Sequence, residues 1–165
     1  MKLFVRLLLL AGLAALAVWS WGFFFPAPQK VIAQRLAKLA RLACFSSQDG
    51  NFKRLADNER ISALLAQNIH VVLDVPGARG QTFDNRLEFL QAVMAARLEV
   101  KDLQTQFTDL GIVLGPDRQS AVALVTVKAR IGPEPDPDFQ VLKFTFQKIG
   151  GAWLITRMET VQPLR

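Results

Sequence analysis

The chain of 165 residues contains no tyrosine, one histidine and one cysteine, and its first 45 positions hold no aspartate or glutamate. Each shortage excludes some chemistry. Without tyrosine, no phenol can serve as a buried donor in a polar pocket. One histidine and one cysteine cannot assemble the nitrogen and sulfur sets of a zinc site, and no carboxylate-rich loop suits calcium, so no metal is expected. Neither Gly-x-Gly-x-x-Gly nor Gly-x-x-x-x-Gly-Lys occurs, which removes the usual phosphate cradles, and no cofactor is expected. No Gly-x-Ser-x-Gly elbow is present either, and any nucleophile triad would have to be built on His70. Cys44 is alone and can form no intramolecular disulfide.

The acidic shortage at the N-terminus explains a charge that would otherwise suggest nucleic acid. The formal charge is +6 and the pI about 10.0. Lys2, Arg6, Lys30, Arg35, Lys38 and Arg41 precede every acid, whereas positions 46–165 carry 14 basic and 14 acidic side chains. The part expected to fold is therefore formally neutral, and no nucleic-acid partner is expected, because such a binder needs its cations on the reading surface. The excess belongs to a segment that can meet anionic lipid headgroups.

That segment contains Leu7 to Phe25, LLLLAGLAALAVWSWGFFF, nineteen residues without a charge, closed by Pro26 and Pro28. About 20 apolar residues span a bilayer, while the apolar stretch of a cleaved signal is about 7–15. Trp19, Trp21 and Phe23 to Phe25 stand where a small-residue cleavage site would be and suit an interfacial belt. The expectation is an anchor over residues 1–28 with its transmembrane helix at 7–25, followed by one domain over 29–165. Lys2 and Arg6 favour a cytoplasmic N-terminus and a periplasmic domain on a bacterial inner membrane; the four cations from Lys30 to Arg41 pull the other way.

Beyond the prolines, Ile32, Leu36, Leu39 and Ala43 form one face of a helix over 29–45, with its cations largely opposite; the face suits core packing or the membrane interface. A shorter helix is predicted over 57–67 on Ile61, Leu64 and Leu65, and a strand over 69–75 ends at Pro76-Gly77. Asp84 is placed to cap a helix over 85–98 whose apolar side is Leu87, Leu90, Val93, Met94 and Leu98. From Val100 the period becomes two. Leu103, Thr105 and Phe107 stand in one phase and Leu110, Ile112 and Leu114 in the other, which predicts a bulge near Asp109. After a turn at Gly115-Pro116-Asp117, a strand over 121–131 reaches the proline-rich loop 132–137, and strands over 139–149 and 152–161 join at Gly150-Gly151. The fold class is α+β: a curved antiparallel sheet packed on about three helices, behind one transmembrane helix.

The opening helix followed by Ile69-His70-Val71-Val72-Leu73-Asp74, the helix Arg86-Leu87-Glu88-Phe89-Leu90, and the closing Phe144-Thr145-Phe146 with Gly151-Ala152-Trp153-Leu154-Ile155 resemble the nuclear-transport-factor-2-like superfamily. That superfamily includes SnoaL-like cyclases, scytalone dehydratases and ketosteroid isomerases. The resemblance covers about residues 29–163 and implies a cone-shaped barrel with a cavity between sheet and helices. Ketosteroid isomerases combine a general-base aspartate with an oxyanion hole made of a tyrosine and a protonated aspartate; the missing tyrosine counts against that activity here.

Few polar side chains are placed to serve such a cavity. Arg157 and Glu159 fall in phase with Trp153, Ile155 and Val161 and either orient a polar ligand or pair with neighbours at the wet end of the cone. His70 and Asp74 share a face of the first strand; they could do acid–base work, or point to solvent opposite Val71 and Leu73. The leading expectation is a membrane-anchored, non-catalytic scaffold module, a homodimer or a subunit of an envelope complex. It would pair through an outer sheet face carrying Val122, Leu124, Thr126, Lys143, Thr145 and Gln147. The alternative is a binder of, or enzyme acting on, a small apolar ligand in the cone.

Overall fold

The computed structural model describes residues 27–74, 80–132 and 136–161. The span expected at 7–25 lies outside them, and no helix among the described residues is long and apolar enough to cross a membrane. Helix α1, Pro28–Ala43, begins with a proline whose missing N–H costs nothing in a first turn. It buries Ile32, Leu36, Leu39, Ala40 and Leu42, so its apolar face packs on the core. Helix α2 is Asn51–Ser62, six residues earlier than predicted. Of the apolar trio that suggested the later helix, only Ile61 belongs to α2; Leu64 lies in the turn and Leu65 opens strand β1, Leu65–Leu73.

Strand β2, Gln81–Phe83, was not foreseen, and α3 is Arg86–Glu99. Its cap is Asn85, whose side chain accepts the Glu88 N–H at 2.8 Å, so Asp84 is not the capping residue. The expected stripe on α3 also differs: Leu87 and Leu98 are exposed, while Phe89, Leu90 and Arg97 are buried. The helix rests on the sheet through Phe89, edge-on to Phe83 of β2 at 5.8 Å between ring centroids. Four long strands follow, β3 Leu103–Leu114, β4 Ser120–Ile131, β5 Asp138–Ile149 and β6 Ala152–Val161.

The sheet order is β2-β1-β6-β5-β4-β3. Its pairs are antiparallel except β1 with β6, which run parallel; the sheet is therefore mixed rather than wholly antiparallel. The bulge expected near Asp109 is present: the β3–β4 register shifts between Thr108 and Gly111, and Asp109 has φ 50°. The β5–β6 hairpin turns at Gly150 and Gly151, with φ 57° and 82°, values open to glycine at little cost. The inner sheet face, with Val71, Ala121, Ala123, Val125, Phe144, Phe146, Trp153, Ile155 and Met158, meets α1 and α3 to form the core. Each large side chain so buried contributes about 1.5–3 kcal/mol.

Candidate functional site

Strand β6 decides where the candidate side chains stand. Phe146 pairs with Ile155 but the adjacent Thr145 pairs with Arg157, so Thr156 is an extra residue in β6. Alternation is reset there. Trp153, Ile155 and then Met158 are buried, while Arg157 is exposed. The expected shared face of Trp153, Ile155, Arg157, Glu159 and Val161 is thus broken by a bulge, and Arg157 and Glu159 stand on the outer face. Glu159 lies opposite Lys143 of β5, 2.6 Å from its Nζ, and 2.7 Å from Arg157 Nε. The hydrogen bond from Lys143, then that from Arg157, holds the Glu159 carboxyl below the usual range, against a smaller effect of burial.

His70 belongs to the same outer surface, in register with Arg157. Its Nδ1 is 2.6 Å from Asp84 Oδ1, so its partner is the residue freed when Asn85 took the helix cap. The pair is open to water, His70 at 39% and Asp84 at 78% exposure, which suits a surface contact rather than proton transfer in a dry pocket. Asp74 directly follows β1: its N–H donates to Thr160 Oγ1 at 3.1 Å and its carbonyl accepts from Gln140 Nε2. The structure therefore brings Arg157, Glu159 and Lys143 into one cluster and His70 onto Asp84, and turns all of these outward. Lys143 and Asp84 were missed as partners because cross-strand register is not written in a single strand's alternation.

Toward the interior the cone is occupied by its own aromatic rings. Phe144, Phe146 and Trp153 are all but fully buried, and Phe107 tilts against Phe144 at 6.0 Å. Where α1 passes strand β3 a groove of about 440 Å³ remains, walled by Ala33, Leu36 and Ala37 on the helix and by Phe107 and Leu110 on the strand. Its lining is mainly apolar, with Arg41, Gln106 and Thr108 as the polar members. Its sequence signal is a row of alanines, Ala33, Ala37 and Ala40, on the strand-facing side of α1, opposite the register shift that contains Leu110. Among the described residues, no three His, Cys, Asp or Glu side chains lie together as a metal set.

No protein-family model matches the chain, and no curated protein matches it. Solved structures do. An NTF2-like protein of unknown function from Pseudomonas putida KT2440 superposes with a TM-score of 0.63 at 13% identity, over 83% of this chain and 87% of that one. A candidate dehydratase of the NTF2-like family from Streptomyces avermitilis gives 0.62 at 15%, over 82% and 96%. A candidate scytalone dehydratase from Novosphingobium aromaticivorans gives 0.59 at 14%, over 81% and 83%. At these identities the likeness is one of fold, and the chain has the NTF2-like cone fold: α+β, with a curved six-stranded sheet on three helices.

Proposed function

We propose that this domain is an interaction module, held at a membrane by residues 7–25, that presents the outer face of its sheet to a second copy of itself. The observation carrying this reading is the composition of that face. Val113 and Leu124 are 71% and 45% exposed there, beside the Lys143–Glu159–Arg157 cluster and the His70–Asp84 pair. An apolar strip flanked by both signs of charge is self-complementary across a two-fold axis, as an isologous dimer requires. A bacterial inner membrane with the domain on the periplasmic side fits the basic N-terminal tail. Sedimentation of the domain tests it: Leu124→Arg should shift a dimer to a monomer that still melts cooperatively, and a monomeric parent would end this reading.

A second reading is favoured by the groove between α1 and β3. Its volume of about 440 Å³ lies within the roughly 300–1,000 Å³ of ligand sites. On this reading the domain binds a small apolar compound, and the candidate dehydratases among the structural neighbours are compatible with binding or turnover in such a space. Here the rings of the core shape the groove, and the outward-facing His70, Arg157 and Glu159 take no part in it.

A further inference from the structure

The groove is built against one wall that differs in charge from the rest of the molecule. Helix α1 carries Lys30, Arg35, Lys38 and Arg41 and no acid. Lys30, Ala33, Ala37 and Arg41 follow one another at spacings of three and four, so a cation stands at each end of the alanine wall. Arg41 is exposed, its Nε turned back toward the Ala37 carbonyl at 3.4 Å, and it lines the groove's edge. The floor is Leu36, Phe107 and Val125, the first and last almost fully buried. This lining suits an alkyl chain along the floor with a negative group at Arg41.

The source of such a molecule follows from what precedes the helix. Only Pro26 and Ala27 separate the charge-free stretch 7–25 from the start of α1 at Pro28. At about 1.5 Å per residue, Ala33 lies roughly 8 Å along the helix from that start. If 7–25 spans, the chain leaves the bilayer only a few residues before the groove begins, close enough for the cations of α1 to meet anionic headgroups.

We propose that the groove between α1 and β3 holds the alkyl chain of an anionic, single-chain amphiphile drawn from the bilayer, with Arg41 at its head. This rests on the second reading above, and does not need the dimer. The test places the full-length protein in phosphatidylcholine vesicles containing a diazirine-bearing hexadecanoate, followed by irradiation and mapping of the adducts. Adducts are expected within residues 33–41 and 106–110. Ala37→Phe, which fills the groove from its helix wall, should lower them about tenfold, and Arg41→Glu should lower capture of the hexadecanoate but not of a diazirine-bearing hexadecane. Leu124→Arg should change neither. Adducts confined to residues 7–25, or a yield indifferent to Ala37→Phe, would overturn the inference. A chain that fails to sediment with the vesicles yet is labelled in the groove by probe in buffer would overturn the bilayer as the source. No labelling from either supply would also remove the second reading.

Discussion

Arg97 is the residue least expected where it lies. It is 4% exposed, and its Nη2 donates to the Leu42 carbonyl at 2.6 Å, one of the terminal carbonyls that α1 cannot satisfy internally. The guanidinium also sits over the Phe45 ring at 5.4 Å, while Nη1 is buried without a partner. Burial lowers its pKa, with Asp57 and then Asp49 opposing the shift. One charged hydrogen bond gained and one donor stranded leave a modest net effect. Arg97→Ala should cost about 2–4 kcal/mol in denaturant unfolding, because it strips the Leu42 carbonyl and opens a cavity. Arg97→Met, which keeps most of the volume and removes the stranded donor, should cost less than half as much; equal costs would refute this account. Glu159 supplies a pH test. Its carboxyl is held low by Lys143 and Arg157, so the stability it contributes is present at neutral pH and is lost as pH falls through the lowered value. Melting temperature should drop more steeply from about pH 5 to about pH 3 in the parent than in Glu159→Gln, and parallel curves would exclude the cluster as a contributor.

The elements show where sequence could and could not be read. The Asp109 bulge was legible because two apolar phases, Leu103 to Phe107 and Leu110 to Leu114, meet out of step. The Thr156 bulge was not, because a polar residue inserted before Arg157 leaves Arg157 and Glu159 in apparent phase with Trp153 and Ile155, and only the partner strand reveals the slip. The start of β1 was masked by the polar pair Gln67-Asn68, and β2 is too short to show alternation. So the fold was legible in its long strands and its hairpin, while the side to which the candidate residues point was not. The Asp109 bulge itself can be tested. With φ 50°, the position tolerates aspartate but penalises β-branching: Asp109→Val should destabilise by about 1–2 kcal/mol and Asp109→Gly by less. If valine is accepted without loss, the left-handed backbone there is wrong.

At the scale of the whole molecule, the basic excess and the apolar stretch lie together at one end of the chain. The six basic residues ahead of every acid, and the nineteen charge-free residues among them, lie at one end, and positions 46–165 balance 14 cations against 14 anions. A chain starting at Gln29 keeps all of α1 except its first residue, Pro28, and every core residue. It should be soluble, fold with a cooperative melt, and show no salt-dependent complex with DNA or RNA, since a balanced surface has few counterions to release. The full chain should instead sediment with membranes and resist extraction by alkaline carbonate, as about 20 apolar residues in a bilayer would. The decisive comparison is the N-terminus of the mature protein. Recovery of an intact Met1 or Lys2 in the membrane pellet fits an anchor. Recovery in the soluble fraction, trimmed near residue 25, would show a cleaved leader. It would also remove the bilayer from beside the groove of α1, leaving that groove to ligands supplied from water.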